Sequence, residues 1–300
     1  MELWIPITIA AAFSQNLRSA LQKKLKATLS TWGATAARFI FAAPFALILA
    51  CVVIALSGDG LPQINLTFLG YGAFGGIAQI AATGLLIHLF SYQNFSVATA
   101  YTKTEPIQTA LFGIILLGDT LSLEIAIAIL VSLIGVILVS IPAGELSPKS
   151  WLNKKAAIGI LSGGLFGLSA VAYRGASLSL DFGDAFYRAS ITLAFVTVLQ
   201  SIIMLVVLRV REPSQTAKLF REWRTAGLVG VAGMLGSLAW FTAFTLQNAA
   251  HVRALGQIEV IFTLAASFFF FKERITTREV GGVCLVSIGI LALVLASGGG

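Results

Sequence analysis

Long apolar runs separated by short polar breaks are the dominant pattern of this chain. Several runs exceed the roughly 20 residues that an α-helix needs to cross about 30 Å of hydrocarbon. A membrane β-barrel requires polar and apolar residues to alternate, and the run 125–141 does not alternate. The pattern therefore predicts an all-α polytopic membrane protein with ten transmembrane helices, at residues 3–22, 32–56, 66–90, 95–118, 122–141, 156–178, 184–208, 225–247, 250–271 and 277–297.

The second half of the chain repeats the polar landmarks of the first half. Each half has an acidic residue inside a span, a second acidic residue after that span and a glycine in the next span. These landmarks are Glu105, Asp119 and Gly135, followed at a constant offset of 154 residues by Glu259, Glu273 and Gly289. Because five spans deliver the second copy from the opposite side of the membrane, the repeat predicts two inverted halves. The predicted divisions are a first five-helix repeat at 1–145, a second, inverted five-helix repeat at 146–297 and a tail at 298–300.

The composition agrees with a membrane protein. Hydrophobic residues make up 57% of the chain, and the mean hydropathy is +0.91. Charged residues make up 11%, against roughly 25% in ordinary globular domains, which is too few to cover a soluble surface. The net charge of +7 arises from basic residues in short loops, which indicates topology rather than nucleic-acid binding. The expected partners are therefore the lipid bilayer and a small-molecule substrate, and no nucleic acid.

The distribution of lysine and arginine predicts the orientation. These residues are concentrated in the loops after spans 1, 5, 7 and 9, and such residues accumulate on the cytoplasmic side of a membrane. Two turns at equivalent positions of the repeat also differ in basic residues. The turn 117–122 has none, and the turn 271–276 contains Lys272 and Arg274, as expected for turns on opposite sides of the membrane. We therefore predict a multi-pass protein of the bacterial cytoplasmic (inner) membrane, with both termini outside the cytoplasm.

Two glutamates inside spans are the strongest candidates for a functional site. A charge near the bilayer centre costs roughly 2.5–3.5 kcal/mol on insertion scales, so such residues usually face a bundle interior or an aqueous cavity. Glu105 and Glu259 lie near the middle of spans 4 and 9. Tyr101 and Gln108 share the face of Glu105, and Pro106 removes a backbone donor beside it. Two interpretations are open: the glutamates bind substrate, or each pairs with a buried basic residue to hold helices together.

Basic residues near the span ends have interfacial explanations. Arg18, close to the end of span 1, is long enough to snorkel to the cytoplasmic interface, which is the favoured interpretation. Arg38 belongs near the start of span 2 and is interpreted as an interfacial anchor. Lys103 and Glu105 are two residues apart and point to different helix faces, so they are not expected to form a local pair.

Glycines at helical spacing indicate close helix packing. Gly159, Gly163 and Gly167 follow one another in span 6, and Gly72 and Gly76 do so in span 3. Small residues at this spacing let helices approach closely. We expect these contacts to lie within a monomer, and an oligomer interface is the alternative.

The sequence contains little that fits an enzyme. The chain has two histidines and none of the HExxH, CxxC, P-loop or GxSxG motifs. No metal, cofactor or nucleotide is therefore predicted, and any transport is secondary or facilitated. Cys51 and Cys284 both lie inside predicted spans, where they are expected to be small packing residues without a disulfide.

Together, the ten spans, the glutamates of spans 4 and 9 and the acidic turns that follow them resemble the drug/metabolite transporter (DMT) superfamily. Within it, the chain resembles the EamA branch that includes YddG-like amino-acid exporters. The resemblance implies a bundle in which helices 1, 3, 4, 6, 8 and 9 line a central cavity, with alternating access and export of amino acids or related metabolites. It places eight residues at this substrate cavity: Gln15, Gln79, Tyr101, Glu105, Ser169, Tyr173, Trp240 and Glu259.

The charges in and beside the spans favour one substrate class. Basic residues outnumber acidic ones there, which suits a zwitterion or an anion better than a cation. Small four-helix relatives that exchange protons for cationic drugs use a glutamate in helix 1, which span 1 lacks here. The expected function is therefore export of amino acids or similar small zwitterionic metabolites, and efflux of drugs or quaternary ammonium compounds is the alternative.

Overall fold

The helical bundle is described by a computed structural model that covers residues 2–58, 60–91, 101–140, 154–262, 264 and 276–297. The side chains of Tyr101 and Ser140, the start of span 4, the end of span 9 and the tail 298–300 lie outside the described residues. The α-helices are α1 (Trp4–Leu25), α2 (Thr31–Ile40), α3 (Ala43–Ser57), α4 (Leu66–Leu89), α5 (Glu105–Leu117), α6 (Leu123–Ser140), α7 (Lys154–Leu178), α8 (Ala185–Arg211), α9 (Pro213–Arg221), α10 (Trp223–Leu246), α11 (Ala249–Leu255) and α12 (Thr277–Ser297). Short 3₁₀ segments occupy Tyr101–Thr104 and Gly256–Ile258.

Six helical segments of the described chain are long and apolar enough to cross a membrane. They are Thr31–Ser57, Leu66–Leu89, Lys154–Leu178, Ala185–Arg211, Trp223–Leu246 and Thr277–Ser297. The outward faces of these helices are apolar, and Ile48 and Leu291 are about 60% exposed. Cys51 and Cys284 are free cysteines, and their side chains are exposed on these outward faces and not packed between helices.

Local sequence sets the helix boundaries. Ser30 begins α2 by accepting a hydrogen bond from the backbone N–H of Gly33, as an N-cap does. Pro44 lies in the first turn of α3 and cannot donate to a carbonyl in the preceding turn, which separates α2 from α3 within one span. Gly118 ends α5 with a φ of 68°, a left-handed conformation that glycine adopts at little cost.

The main helix contacts join one half of the chain to the other. The most extensive contacts are those of α6 with α12, α4 with α7 and α1 with α10. In the order of the repeat, α1 corresponds to α7 and α4 corresponds to α10. When each helix is replaced by its counterpart in the other half, the α1–α10 contact becomes the α7–α4 contact. The two halves therefore pack together through equivalent pairs of helices.

The contact between α6 and α12 follows the repeat residue by residue. A Cβ added to Gly135 would lie 2.6 Å from the backbone oxygen of Gly282, and one added to Gly289 would lie 2.8 Å from the backbone oxygen of Ala128. Adding the repeat offset of 154 residues to positions 128 and 135 gives positions 282 and 289, so the two contacts are equivalent. The glycine landmarks of the sequence are therefore the points where the backbones of α6 and α12 touch.

The glycines of spans 3 and 6 also lie at close contacts within the molecule, as expected. A Cβ on Gly163 would lie 2.7 Å from the backbone oxygen of Thr102, and one on Gly72 would lie 2.7 Å from the Phe195 ring. These glycines place α7 and α4 directly against the centre of the bundle.

Candidate substrate site between the two halves

The helical path is interrupted at equivalent places in the two halves. The 3₁₀ segment Tyr101–Thr104 immediately precedes Glu105, and the 3₁₀ segment Gly256–Ile258 immediately precedes Glu259. The sequence predicts continuous spans at 95–118 and 250–271, with only a local disturbance at Pro106, and the described parts of both spans are instead broken. Irregular backbone at membrane depth is tolerated where protein surrounds it, and broken helices of this kind are typical of transporter binding sites.

Two ion pairs connect the halves at these interruptions. Lys103 Nζ contacts Glu259 Oε1, and Arg253 Nε lies 2.8 Å from Glu105 Oε1. Each glutamate is therefore paired with a base from the opposite half, and Lys103 does not pair locally with Glu105, as expected. The four side chains are 6–14% exposed, so an unpaired charge at these positions would carry a large desolvation cost.

Amide side chains complete the surroundings of Glu259. Gln15 Nε2 donates to Glu259 Oε2 over 3.0 Å, and Asn16 Nδ2 donates to the Glu259 backbone oxygen over 3.3 Å. Gln257 Nε2 donates to the Lys103 backbone oxygen over 3.4 Å. Since Gln257 and Lys103 occupy equivalent positions of the repeat, this contact places both residues at the centre of the interface between the halves.

Aromatic rings cover the guanidinium of Arg253. Its Cζ lies 4.4 Å from the Trp240 ring centroid and 5.0 Å from the Phe244 ring centroid. The two rings are stacked with centroids 5.7 Å apart. Cation–π contact stabilises a desolvated guanidinium, so the rings and Glu105 together hold Arg253 inside the bundle.

A second polar group lies beside the ion pairs and also joins the halves. The Tyr173 hydroxyl donates to Gln79 Oε1 over 3.1 Å and to the Gly75 carbonyl over 3.0 Å. Gln200 Nε2 donates to Gln79 Oε1 over 3.0 Å. All three side chains are buried, and the Tyr173 ring packs against Phe241 with centroids 4.2 Å apart. The buried amides and hydroxyl thus find hydrogen-bond partners in one another and in the backbone of α4.

The structure brings most of the predicted cavity residues together. Gln15, Glu105, Trp240 and Glu259 contribute to the ion-pair cluster, and Gln79 and Tyr173 contribute to the adjacent network. Ser169 is buried, but its hydroxyl donates to the Phe166 carbonyl of its own helix over 2.7 Å. The backbone of Tyr101 lies in the 3₁₀ segment, and its side chain is outside the described residues.

Sequence reasoning missed several basic residues of the interior. Arg18 is 3% exposed and Arg38 is 4% exposed, so the interpretations of Arg18 as snorkelling and of Arg38 as an interfacial anchor are both wrong. Arg253 is also buried, as is every residue of α11. The sequence feature that indicated buried basic residues is the excess of basic over acidic residues in and beside the spans.

The site offers nothing that fits a resident metal. Among the residues that the structure describes, no three His, Cys, Asp or Glu side chains are grouped to hold an ion. Its described side chains form ion pairs, amide hydrogen bonds and aromatic contacts.

Comparison with known proteins defines first the fold and then the family. A solved crystal structure matches with a TM-score of 0.66 and 14% identity, covering 95% of this chain and 98% of that chain. At this level of identity the match shows that the two chains share a fold. The EamA-like transporter family model matches residues 2–141 and 153–295, and the chain belongs to this family.

One similar relative is an uncharacterized transporter from Archaeoglobus fulgidus, 27% identical over 202 residues. The match covers 67% of this chain and 66% of the relative's length. The protein is therefore a membrane transporter of the DMT superfamily with two EamA halves, and it is not an enzyme.

Proposed function

We propose that this transporter exports amino acids or similar small zwitterionic metabolites across the bacterial cytoplasmic membrane by alternating access. The observation that carries the proposal is the pair of ion contacts, Lys103 with Glu259 and Arg253 with Glu105, that joins the halves where both spans are broken. In this proposal the two glutamates both bind substrate and hold the halves together.

A zwitterion is the substrate that can replace such contacts without leaving a charge unpaired. Its ammonium can pair with a glutamate while its carboxylate pairs with Lys103 or Arg253. A substrate with one charge would leave one member of the broken pair uncompensated, at a cost of several kcal/mol in a buried site. Matched charges on the substrate therefore lower the free-energy barrier to separating the halves.

Polar links at both ends of the bundle support alternating access. At one end, the backbone N–H of Ser30 donates to Gln215 Oε1 over 2.9 Å, and the Ser30 hydroxyl donates to Glu212. At the other end, Asn65 Nδ2 donates to the Ser179 carbonyl over 2.7 Å, and the Gln63 N–H donates to Asp181. We name these contacts the Ser30 link and the Asn65 link. Each joins the two halves, so opening toward one side needs one link to break while the other persists.

The positions of the two links also support inverted halves. The Ser30 link joins the turn after α1 to the segment between α8 and α10, and the Asn65 link joins the segment after α3 to the turn after α7. When each segment is replaced by its counterpart in the other half, the Ser30 link becomes the Asn65 link. The two links nevertheless lie at opposite ends of the α2–α3 span. An inverted arrangement produces this relation.

The direct test is counterflow in proteoliposomes that contain the purified protein. The panel contains the twenty common amino acids, organic acids without an amine and lipophilic cations. We expect exchange of at least one amino acid, loss of exchange in Glu105→Gln and Glu259→Gln, and normal exchange in Glu124→Gln, whose side chain is exposed at the start of α6. If both buried variants fold and exchange substrate at the full rate, these glutamates are not part of the substrate site.

Efflux of drugs or quaternary ammonium compounds is the second candidate, favoured by the aromatic faces of Trp240 and Phe244. In the observed conformation these faces are covered by Arg253 of the protein itself. A cation would therefore have to displace Arg253 and leave it unpaired. Exchange of lipophilic cations without exchange of any amino acid would select this alternative.

A further inference from the structure

Two arginines of the first half, Arg18 and Arg38, lie deep in the bundle without a carboxylate partner. They are 3% and 4% exposed. The ion pairs among the described residues join Lys103 with Glu259, Arg253 with Glu105 and Arg174 with Asp119, and none of these includes Arg18 or Arg38. Both acidic residues of the central cluster are therefore already occupied by other bases.

The guanidinium groups of these arginines have few acceptors. Arg18 Nη2 donates to the Ser19 hydroxyl over 3.3 Å, and its buried Nε has no acceptor in the described structure. Arg38 Nη1 donates to the Thr83 hydroxyl over 2.9 Å. A guanidinium carries five N–H donors in a planar fork, so most of the donor capacity of this pair is not used by these contacts.

The two side chains converge on one wall between the halves. A Cβ added to Gly233 of α10 would lie 3.5 Å from Arg38 Cγ and 3.6 Å from Arg18 Cδ. Because both atoms lie close to the same point, they are at most about 7 Å apart, and the like charges of the two side chains repel each other. Two like charges held this close together are stabilised when an anion binds between them.

A small cavity with a mixed polar and apolar lining adjoins Arg38 at this wall. It is lined by the side chains of Gln79, Thr197, Gln200 and Ser237 together with apolar residues of α8 and α10. Its volume of about 10 Å³ is about the space of one water molecule. The observed conformation is thus closed around the arginines, and a larger ligand can enter only when the halves separate.

The arginines lie on one side of the central ion pairs. Arg18 is seven residues before the end of α1, and Arg38 is seven residues after the start of α2. Each is therefore about 10 Å along its helix from the α1–α2 turn. A substrate that enters from that turn, which the lysine distribution predicts to be cytoplasmic, meets Arg18 and Arg38 on the same side as the Ser30 link.

We propose that Arg18 and Arg38, converging beside Gly233 and the Gln79–Gln200 cavity, form an entry subsite that binds the carboxylate of the transported molecule before this carboxylate reaches Lys103 or Arg253. The proposal rests on the proposed function and specifies its substrate class, which is organic acids and zwitterions that carry a free carboxylate. A carboxylate accepts the paired N–H groups of a guanidinium in bidentate geometry. Its negative charge offsets the repulsion between the two cations, and Gln79 and Ser237 supply further donors at the rim.

The first test compares each of the twenty amino acids with its methyl ester, using thermal unfolding of the purified wild-type protein in detergent. The ester keeps the ammonium and the side chain but lacks the carboxylate charge. We expect at least one amino acid to raise the melting temperature and its ester not to do so. Organic acids without an amine form the third set. Equal stabilisation by acid and ester, or stabilisation by no carboxylate in the panel, would overturn the subsite.

The second test compares variants with the carboxylate identified in this way. Arg18→Gln and Arg38→Gln are expected to weaken its binding about tenfold or more, because a hydrogen bond to a charged group is lost. Arg18→Lys and Arg38→Lys keep the charge without the fork and are expected to retain part of the affinity. Arg221→Gln, on the exposed face of α9, is the control that keeps full affinity. Unchanged affinity in the folded Gln variants contradicts the proposal. If the Gln variants do not fold, unchanged affinity in the folded Lys variants contradicts it.

The outcomes separate the subsite from the proposed function. If amino acids are exchanged in proteoliposomes and the Gln variants keep the same apparent affinity, the subsite is wrong and the proposed function stands. If organic acids bind through Arg18 and Arg38 but no amino acid is exchanged, the subsite stands and the zwitterion proposal is wrong.

Discussion

At the scale of single residues, the Arg253–Glu105 pair shows what a buried charge requires. The pair is 6–13% exposed, and the Trp240 and Phe244 rings cover the guanidinium. Removing one partner leaves the other charge buried and unpaired, so we expect Glu105→Gln or Arg253→Gln to lower the free energy of unfolding by about 3–5 kcal/mol. Thermal unfolding in detergent measures this effect.

The double variant is the control for this interpretation. Glu105→Gln with Arg253→Gln removes both charges, so it is expected to be more stable than the sum of the single effects allows. Additive losses in this double-mutant cycle would show that the two side chains act independently of each other.

At the scale of helices, the contact between α6 and α12 depends on the absence of side chains. A Cβ on Gly282 would lie 2.7 Å from the Gly135 backbone oxygen, whereas one on the adjacent Gly281 would have no atom within 4 Å. We therefore expect Gly282→Ala to destabilise the protein by about 1–3 kcal/mol, as overpacking does. Gly281→Ala is the matched control in the same helix turn and is expected to leave stability unchanged or slightly higher. An equal loss of stability in both variants would show that helix backbone effects, and not this contact, decide the outcome.

At the scale of the whole molecule, breaking the Ser30 link and breaking the Asn65 link are expected to open opposite sides of the bundle. The test uses a Ser237→Cys variant that also carries Cys51→Ala and Cys284→Ala, so that its one cysteine lies in the cavity wall. Labelling of this cysteine measures access to the cavity from each side of the membrane. We expect Glu212→Ala to increase labelling by an impermeant thiol reagent from the side of the α1–α2 turn. Asn65→Ala is expected to increase labelling from the opposite side. Increased labelling from the same side in both variants would contradict alternating access through these links.

The orientation of the molecule gives a separate prediction. The concentration of lysine and arginine in the loops after spans 1, 5, 7 and 9 predicts that those loops lie in the cytoplasm. A reporter fused after residue 300 should therefore be active only when it is an enzyme that functions outside the cytoplasm. Activity of a reporter that functions only in the cytoplasm would contradict this topology. The Ser30 link would then lie on the outer side of the membrane.

The sequence by itself determined the class of protein and its division into two EamA halves. Of the ten predicted spans, six correspond to described helices that are long and apolar enough to cross a membrane. Hydrocarbon accepts only long apolar helices with satisfied backbones, so the spacing of apolar residues carries that information directly. Glu105 and Glu259 were identifiable as central because a charge inside a span is rarely accidental. The repeat also located Gly135 and Gly289, which the structure places at backbone contacts between α6 and α12.

Only the tertiary structure decided which charges meet and which remain buried without a partner. The partner of each glutamate comes from the other half of the chain, and neither spacing nor composition specifies contacts between distant segments. The positions of Arg18 and Arg38 in their spans were equally compatible with interfacial side chains, because a long arginine can reach water from several turns away. Their burial follows from the packing of α1 and α2 against α10, which removes that route to water. The central site is therefore a product of how the two halves interlock.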